Sequence, residues 1–299
     1  MIKSIMRRFM LVALLALNFG GLAACNNNNA ILAALLGAFD PAFFPIAVPG
    51  TIAGWGNAAF DSNGDLKVVG GSSADITTVA RSDGSLTALT VAGQVGDLLS
   101  IVDPGAGVLY VGTTGTSNIY SVDPTTGVAT LLINVGGSDV TGLVVAPAGY
   151  GAFGGQLIVS TQNGSIIAVD QTTPAFSVIV APAGALYSDL EFAADGTLYA
   201  VDNNSGDIVT VSDTGVLAVL ATIATADGIA IDSAGGRLFV AAEAPGVGEV
   251  FSVTIPGGVV ASLGTFDFDS GWFPSGLAFD GTLMMLTGEN SMTIEAITP

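Results

Sequence analysis

One unit of sequence is written six times along this chain, and that repetition constrains the fold more than any other feature. Leu66, Leu109, Leu157, Leu198, Leu238 and Leu283 recur at steps of 43, 48, 41, 40 and 45 residues. Each is followed after 9 to 12 residues by Ile76, Ile119, Ile166, Ile208, Val250 or Ile294. Three residues further on stands Val79, Val122, Val169, Val211, Val253 or Ile297. A period in the forties assembled from short strands predicts an all-β fold, a six-bladed β-propeller of four-stranded antiparallel blades. Turn signals at short, even intervals argue against βαβ units. In the fourth unit the spacing predicts strands over Leu190–Ala193, Leu198–Val201, Ile208–Ser212 and Val216–Ile223. The last unit ends with its third strand, Thr293–Thr298. Its fourth strand is expected from the apolar segment Pro45–Val48, so that an N-terminal strand closes the ring and covers an open edge.

The first residues carry a separate signal. Lys3, Arg7 and Arg8 precede the apolar stretch Phe9–Phe19, and the small residues Gly20 to Ala24 lead to the single cysteine, Cys25. This is the layout of a secretory signal peptide, with an apolar run too short to span a membrane. Leu22-Ala23-Ala24-Cys25 resembles the lipobox of bacterial lipoproteins, which implies cleavage before Cys25 and lipidation of it. The expected organisation is a signal peptide over 1–24, a lipidated Cys and tether over 25–44, and a propeller over 45–299. The location that follows is the bacterial cell envelope, anchored to a membrane by lipid, with the outer membrane or periplasmic side favoured by Asn26. Ala30–Phe39 is apolar but also too short to span, and reads as a short helix or linker.

Beyond the signal, Lys67, Arg81 and Arg237 face 25 acidic residues, a formal charge of −22. Nucleic acid is excluded as a partner, because neutralising phosphates takes clusters of Lys and Arg. Strong self-repulsion favours a soluble monomer and suits cations as small partners. The chain has no histidine. That removes Ser-His-Asp and Cys-His nucleophile systems, His-ligated zinc and His general bases together. Any catalysis has to run on carboxylates.

Alternating strands sort the loops onto two faces. One face gathers Asp97, Asp139, Asp189 and Asp227 near the starts of the innermost strands, beside Ser188, Ser275, Asn57 and Trp55. Its loops add Asn163, Asp202, Asn203, Asn204, Asp207, Glu243, Glu289 and Asn290. A ring of carboxylates with amide neighbours is what a calcium-type divalent cation needs, six to eight oxygens without His or Cys. Asp97, Asp139, Asp189 and Asp227 are therefore candidate metal ligands, with Asp202 and Asp207 as a second, local set. Asp227 and Asp189 are the candidate catalytic carboxylates. Asp61-Ser62-Asn63-Gly64-Asp65 reads as a tight turn, since other units have Asp-Gly turns at the same place. Phe266–Phe273, with Asp267, Asp269 and Trp272, is an aromatic and acidic loop that suits core packing or a sugar contact.

Asp227-Gly228-Ile229-Ala230-Ile231-Asp232 and Ser275-Gly276-Leu277-Ala278-Phe279-Asp280 resemble the opening strand of NHL-repeat and SMP-30/gluconolactonase-like propellers. Leu198-Tyr199-Ala200-Val201-Asp202-Asn203 resembles their second strand and the loop after it. The resemblance implies a divalent cation held at the channel mouth by Glu, Asn and Asp from several blades, and hydrolysis of sugar lactones. The chain departs from that pattern at Trp55 and Gly56, where a Glu would stand, and at Thr141, where an Asn would stand. The expectation is a lipid-anchored binding or scaffolding propeller with a protein or carbohydrate partner at its face. The alternative is a calcium-dependent, gluconolactonase-like hydrolase using Asp97, Asp189 and Asp227.

Overall fold

The computed structural model describes residues 44–47, 56–70, 74–81, 85–94, 96–137, 139–232, 234, 236–244, 247–266, 273–282, 284–289 and 293–297. After a lone strand, β1 (Phe44–Ala47), come β2 (Ala58–Phe60), β3 (Leu66–Val69), β4 (Asp75–Val79) and β5 (Leu86–Thr90). The second set is β6 (Leu98–Val102), β7 (Leu109–Thr113), β8 (Asn118–Val122) and β9 (Ala129–Asn134). The third is β10 (Val140–Val145), β11 (Leu157–Thr161), β12 (Ile166–Asp170) and β13 (Ala175–Val180). The fourth is β14 (Tyr187–Phe192), β15 (Leu198–Asp202), β16 (Asp207–Val211) and β17 (Leu217–Thr222). The fifth is β18 (Ala226–Asp232), β19 (Arg237–Ala244), β20 (Val247–Thr254) and β21 (Val260–Phe266). The chain finishes on β22 (Phe273–Phe279), β23 (Met284–Glu289) and β24 (Thr293–Ile297).

Each of these five sets forms a four-stranded antiparallel sheet in chain order, so the all-β propeller of four-stranded blades is the architecture. Five blades are built from consecutive strands, where the sequence reading expected six. The difference has a simple cause: the last repeat supplies three strands, and its sheet, ordered β1–β24–β23–β22, draws its outer strand from the other end of the chain. Phe44 lies opposite Ala296 and Ala47 opposite Thr293. The first strands lie side by side in a cycle, β2, β6, β10, β14, β18, β22 and back to β2.

The sequence landmarks are cross-strand partners. Leu66 faces Val79, Leu109 faces Val122, Leu157 faces Val169, Leu198 faces Val211, and Leu238 faces Val253. All ten are buried, as are Ile76, Ile119, Ile166, Ile208 and Val250. Burying a Leu, Ile or Val side chain contributes about 1.5–3 kcal/mol, so the repeat is one packing layer reused blade by blade. Every residue of β11 is buried, because both faces of a blade pack on neighbours.

Neighbouring blades are also pinned at their rims. Gly127, Gly215 and Gly258 end the turns before the outer strands, all with positive φ. Each presses on the previous blade, against the carbonyl oxygens of Thr90, Ile179 and Leu220. Gly107 also has positive φ, but a Cβ there would meet nothing within 4 Å. Gly215→Ala is therefore expected to cost about 2–4 kcal/mol, left-handed strain plus overpacking on backbone. Gly107→Ala is expected to cost about 1 kcal/mol. Urea midpoints of the two variants check this, and equal losses would refute the packing account.

Candidate functional site at the centre of the ring

The inner strands share one irregularity. Register shifts fall between Leu98 and Ser100, Val140 and Gly142, Tyr187 and Asp189, Ala226 and Ile229, and Pro274 and Gly276. A bulge turns the strand more sharply and re-aims the next side chain. The residues one before the paired positions Ala58, Ile101, Leu143, Leu190, Ile229 and Leu277 form a common level around the axis: Asn57, Ser100, Gly142, Asp189, Gly228 and Gly276. Three glycines let the strands crowd together. A Cβ on Gly276 would lie 2.9 Å from the Asn57 Cα, and one on Gly142 would lie 3.2 Å from the Asp189 Cα.

Asp189 sits at this level with 4% of its surface exposed. The Asn57 amide donates to its Oδ1 at 2.9 Å. Leu190 N donates to the same oxygen at 2.9 Å, and Ile229 N donates to Oδ2 at 3.0 Å. Asn57 precedes β2 and Asp189 lies in β14; these strands are separated by β6 and β10 on one side and β18 and β22 on the other. The Asn57–Asp189 hydrogen bond thus joins opposite sides of the ring. Burial pushes the Asp189 carboxyl up to about 7, although its three donors pull the other way.

Two residues on in β14 is Glu191, partly accessible by surface area yet surrounded by protein. Burial, reinforced by the charge of Asp189, pushes it up to about 8. Its counterparts in register are Ala59, Val102, Val144, Ala230 and Ala278. Glu191 is the functional candidate that sequence reasoning missed. The signal was present: stacking the units on their bulges shows one acid in an otherwise apolar register.

The other candidates are spread out. Asp97 is exposed just before β6, and Asp139 accepts from Gly115 N at 2.6 Å just before β10. Asp227 is half-buried in β18; Ser188 Oγ donates to its carbonyl at 2.6 Å and Asn203 Nδ2 approaches its Oδ1 at 3.4 Å. Asp202 accepts from Leu186 N, Asn204 N and Ser205 Oγ, while Asp207 accepts from Thr222 Oγ1 at 2.5 Å. These bonds knit loops between and within blades. Thr141 bonds the Tyr187 carbonyl at 2.5 Å, and Asn163 closes its own turn onto Ser165. Asp61 accepts from Asn63 N and Asp65 N and pairs with Lys67 at 3.0 Å, a closed turn as expected. Among the described residues no three or more Asp, Glu, Cys or His come together as a metal cage. The ring's own oxygens are engaged within the protein: Asn57 Oδ1 accepts from Ala58 N at 2.6 Å, both Asp189 oxygens accept from N–H donors, and Ser100 Oγ donates to the Val140 carbonyl at 2.9 Å. Ser275 and Glu289 lie within β22 and β23. Cys25, Ala30–Phe39, Trp55, Asp267, Asp269, Trp272 and Asn290 lie outside the described residues.

No protein-family model matches the sequence, and no curated protein matches it. Solved structures do match in fold. A gluconolactonase from Xanthomonas campestris aligns at a TM-score of 0.68 and 17% identity, over 91% of this chain and 93% of its own. A calcium-binding protein, regucalcin, from Agrobacterium tumefaciens aligns at 0.63 and 15% identity, over 85% and 92%. A virginiamycin B lyase from Staphylococcus aureus aligns at 0.63 and 14% identity, over 87% and 100%. The fold is shared with SMP-30/gluconolactonase-like propellers; at these identities the likeness is one of fold alone.

Proposed function

We propose that the protein is a binding propeller of the cell envelope, held to a membrane through lipid on Cys25, with β1 as the clasp that closes the ring. Its partner is a protein or carbohydrate bound at the propeller's surface. The observation that carries this reading is the engagement of both Asp189 oxygens, Oδ1 by the Asn57 amide across the ring and by Leu190 N, and Oδ2 by Ile229 N. The anchor rests on the run Leu22–Cys25 and on the polar tether Asn26–Asn29 behind it. A calcium-dependent lactonase is the second reading, favoured by the shared fold. It requires Asp97, Asp189 and Asp227 to converge on one ion.

The two readings separate by experiment on the full-length protein in mild detergent. A specifically bound ion at one hundred times its Kd raises stability by about 2.7 kcal/mol. The expected result is the same unfolding midpoint in calcium and in chelator, with no turnover of gluconolactone. Calcium-dependent turnover abolished by Asp227→Asn would overturn the binding reading. Cys25→Ser is expected to move the protein from the membrane fraction to the soluble one.

A further inference from the structure

The outer strands carry no charge at all. No Asp, Glu, Lys or Arg occurs in β5, β9, β13, β17 or β21, in a chain with 25 acidic residues. Each is the last strand of its sheet, with one edge unpaired by the sheet itself. Natural sheets blunt such edges with Lys, Pro or inward charges. Neither β13 nor β17 has any of these. Phe176 and Val178 on β13 are 44% and 54% exposed, and Leu217 and Val219 on β17 are 41% and 61% exposed. Both strands run in straight register, over Ala175–Val178 and Leu217–Val219, before a bulge.

Charge decides what fits there. Asp170 ends β12 where the turn into β13 begins, Asp213 stands in the turn leading into β17, and Asp207 bonds Thr222 at the far end of β17. Asp170 is held ionised, since Thr173 and the backbone of Thr172 and Thr173 donate to it and keep its pKa low. An acidic frame around an apolar edge selects a basic partner. Among the described residues a second copy of this chain offers only cations already in ion pairs: Lys67 with Asp61, Arg237 with Asp232, and Arg81 with Asp280. Anionic lipid is repelled by the same field.

We propose that β13 and β17 are docking edges for an extended cationic peptide segment of a partner protein, which adds to the sheet as a further strand. Main-chain hydrogen bonds would supply affinity, alternate apolar side chains would meet Phe176, Val178 and Val219, and terminal Lys or Arg would meet the turn aspartates. This rests on the binding-propeller reading and names the partner's chemistry.

The test uses the full-length protein in mild detergent and the labelled peptide Lys-Val-Thr-Val-Thr-Val-Lys. Saturable binding is expected, with slower amide exchange in β13 and β17. A central Pro in the peptide is expected to weaken binding about tenfold or more, since it removes main-chain bonds and extended pairing. The exposed double variant Val178→Lys/Val219→Lys should lose binding while keeping its unfolding midpoint. Should that midpoint drop, Glu-Val-Thr-Val-Thr-Val-Glu against unaltered protein is the arbiter, and it is expected not to bind. Equal binding of the Pro or Glu peptide would reduce the effect to unspecific attraction and overturn the proposal, as would no binding. Self-association of the protein in high salt, without peptide binding, would assign the edge to a second copy instead. Lactone turnover would sink the binding-propeller reading whatever the peptide does. Absent peptide binding with absent turnover would sink the docking edge alone.

Discussion

Asp189→Ala is expected to be among the most damaging substitutions in the protein, lowering the free energy of unfolding by about 3 kcal/mol or more. The loss arises from what remains behind. Leu190 N, Ile229 N and the Asn57 amide all donate to this carboxylate, and each would be left buried without its acceptor. An unsatisfied buried donor costs about 1–3 kcal/mol. Part of that is offset, because the variant no longer buries a carboxyl whose pKa stands near 7. The gap left at the centre of the ring cannot close easily, since Gly142 and Gly276 already bring the strands into contact. Asp189→Asn keeps the shape and one accepting oxygen, so an intermediate loss is expected. Urea unfolding at constant m-value measures both. An Asp189→Ala midpoint equal to wild type would show that the bond across the ring holds nothing together.

What the sequence disclosed was what repeats. Leu66 to Leu238 and their partners Val79 to Val253 could be picked out because the same buried pair is needed in every blade, and each observed pair matches the spacing. The strand bounds in the fourth unit were good for the middle strands and short for the innermost. β14 begins at Tyr187 rather than Leu190, because a bulge lets Ser188 and Asp189 join a strand whose polar residues read as loop. That same bulge moved Asp189 from an expected mouth position to a buried one. Asp97 and Asp139, which sit before their strands, stayed outside. The sequence showed four aspartates at similar distances from strand starts, and a shift of one or two residues decides whether such a carboxylate meets water or the axis. Asn57 could not be matched to Asp189 from spacing, because 132 residues separate them and the contact exists only when the ring is assembled. Glu191 was hidden for the opposite reason: it is local, but it lies within the polar-looking phrase Ser188-Asp189-Leu190-Glu191.

Glu191 makes the second large effect one of pH. Burial raises Asp189 from 3.8 to about 7 and Glu191 from 4.5 to about 8. The two share one site and titrate as a pair, with Glu191 holding the last proton because Asp189 has the three donors. In each case the folded state binds the proton more tightly than the unfolded chain does. Stability from this pair is therefore complete below about pH 4 and is lost as pH rises toward 8. Asp61, Asp123, Asp170 and Asp195 are shifted down by hydrogen bonds, so their contribution has the opposite sign and fades as pH falls below their usual range. The expected stability optimum lies at about pH 4–5, above the acid limb and below the titration of the buried pair. Glu191→Gln should flatten the decline and raise stability at pH 8 by on the order of 2 kcal/mol, with little change at pH 5. Net charge offers a rival explanation, since a chain carrying −19 overall also repels itself more as pH rises. Salt tells the two apart. At 1 M ionic strength the screening length falls to about 3 Å, which removes surface repulsion but leaves a buried pair nearly untouched. A decline that survives 1 M salt and disappears in Glu191→Gln belongs to the ring centre; one that salt removes and the variant keeps belongs to the acidic surface.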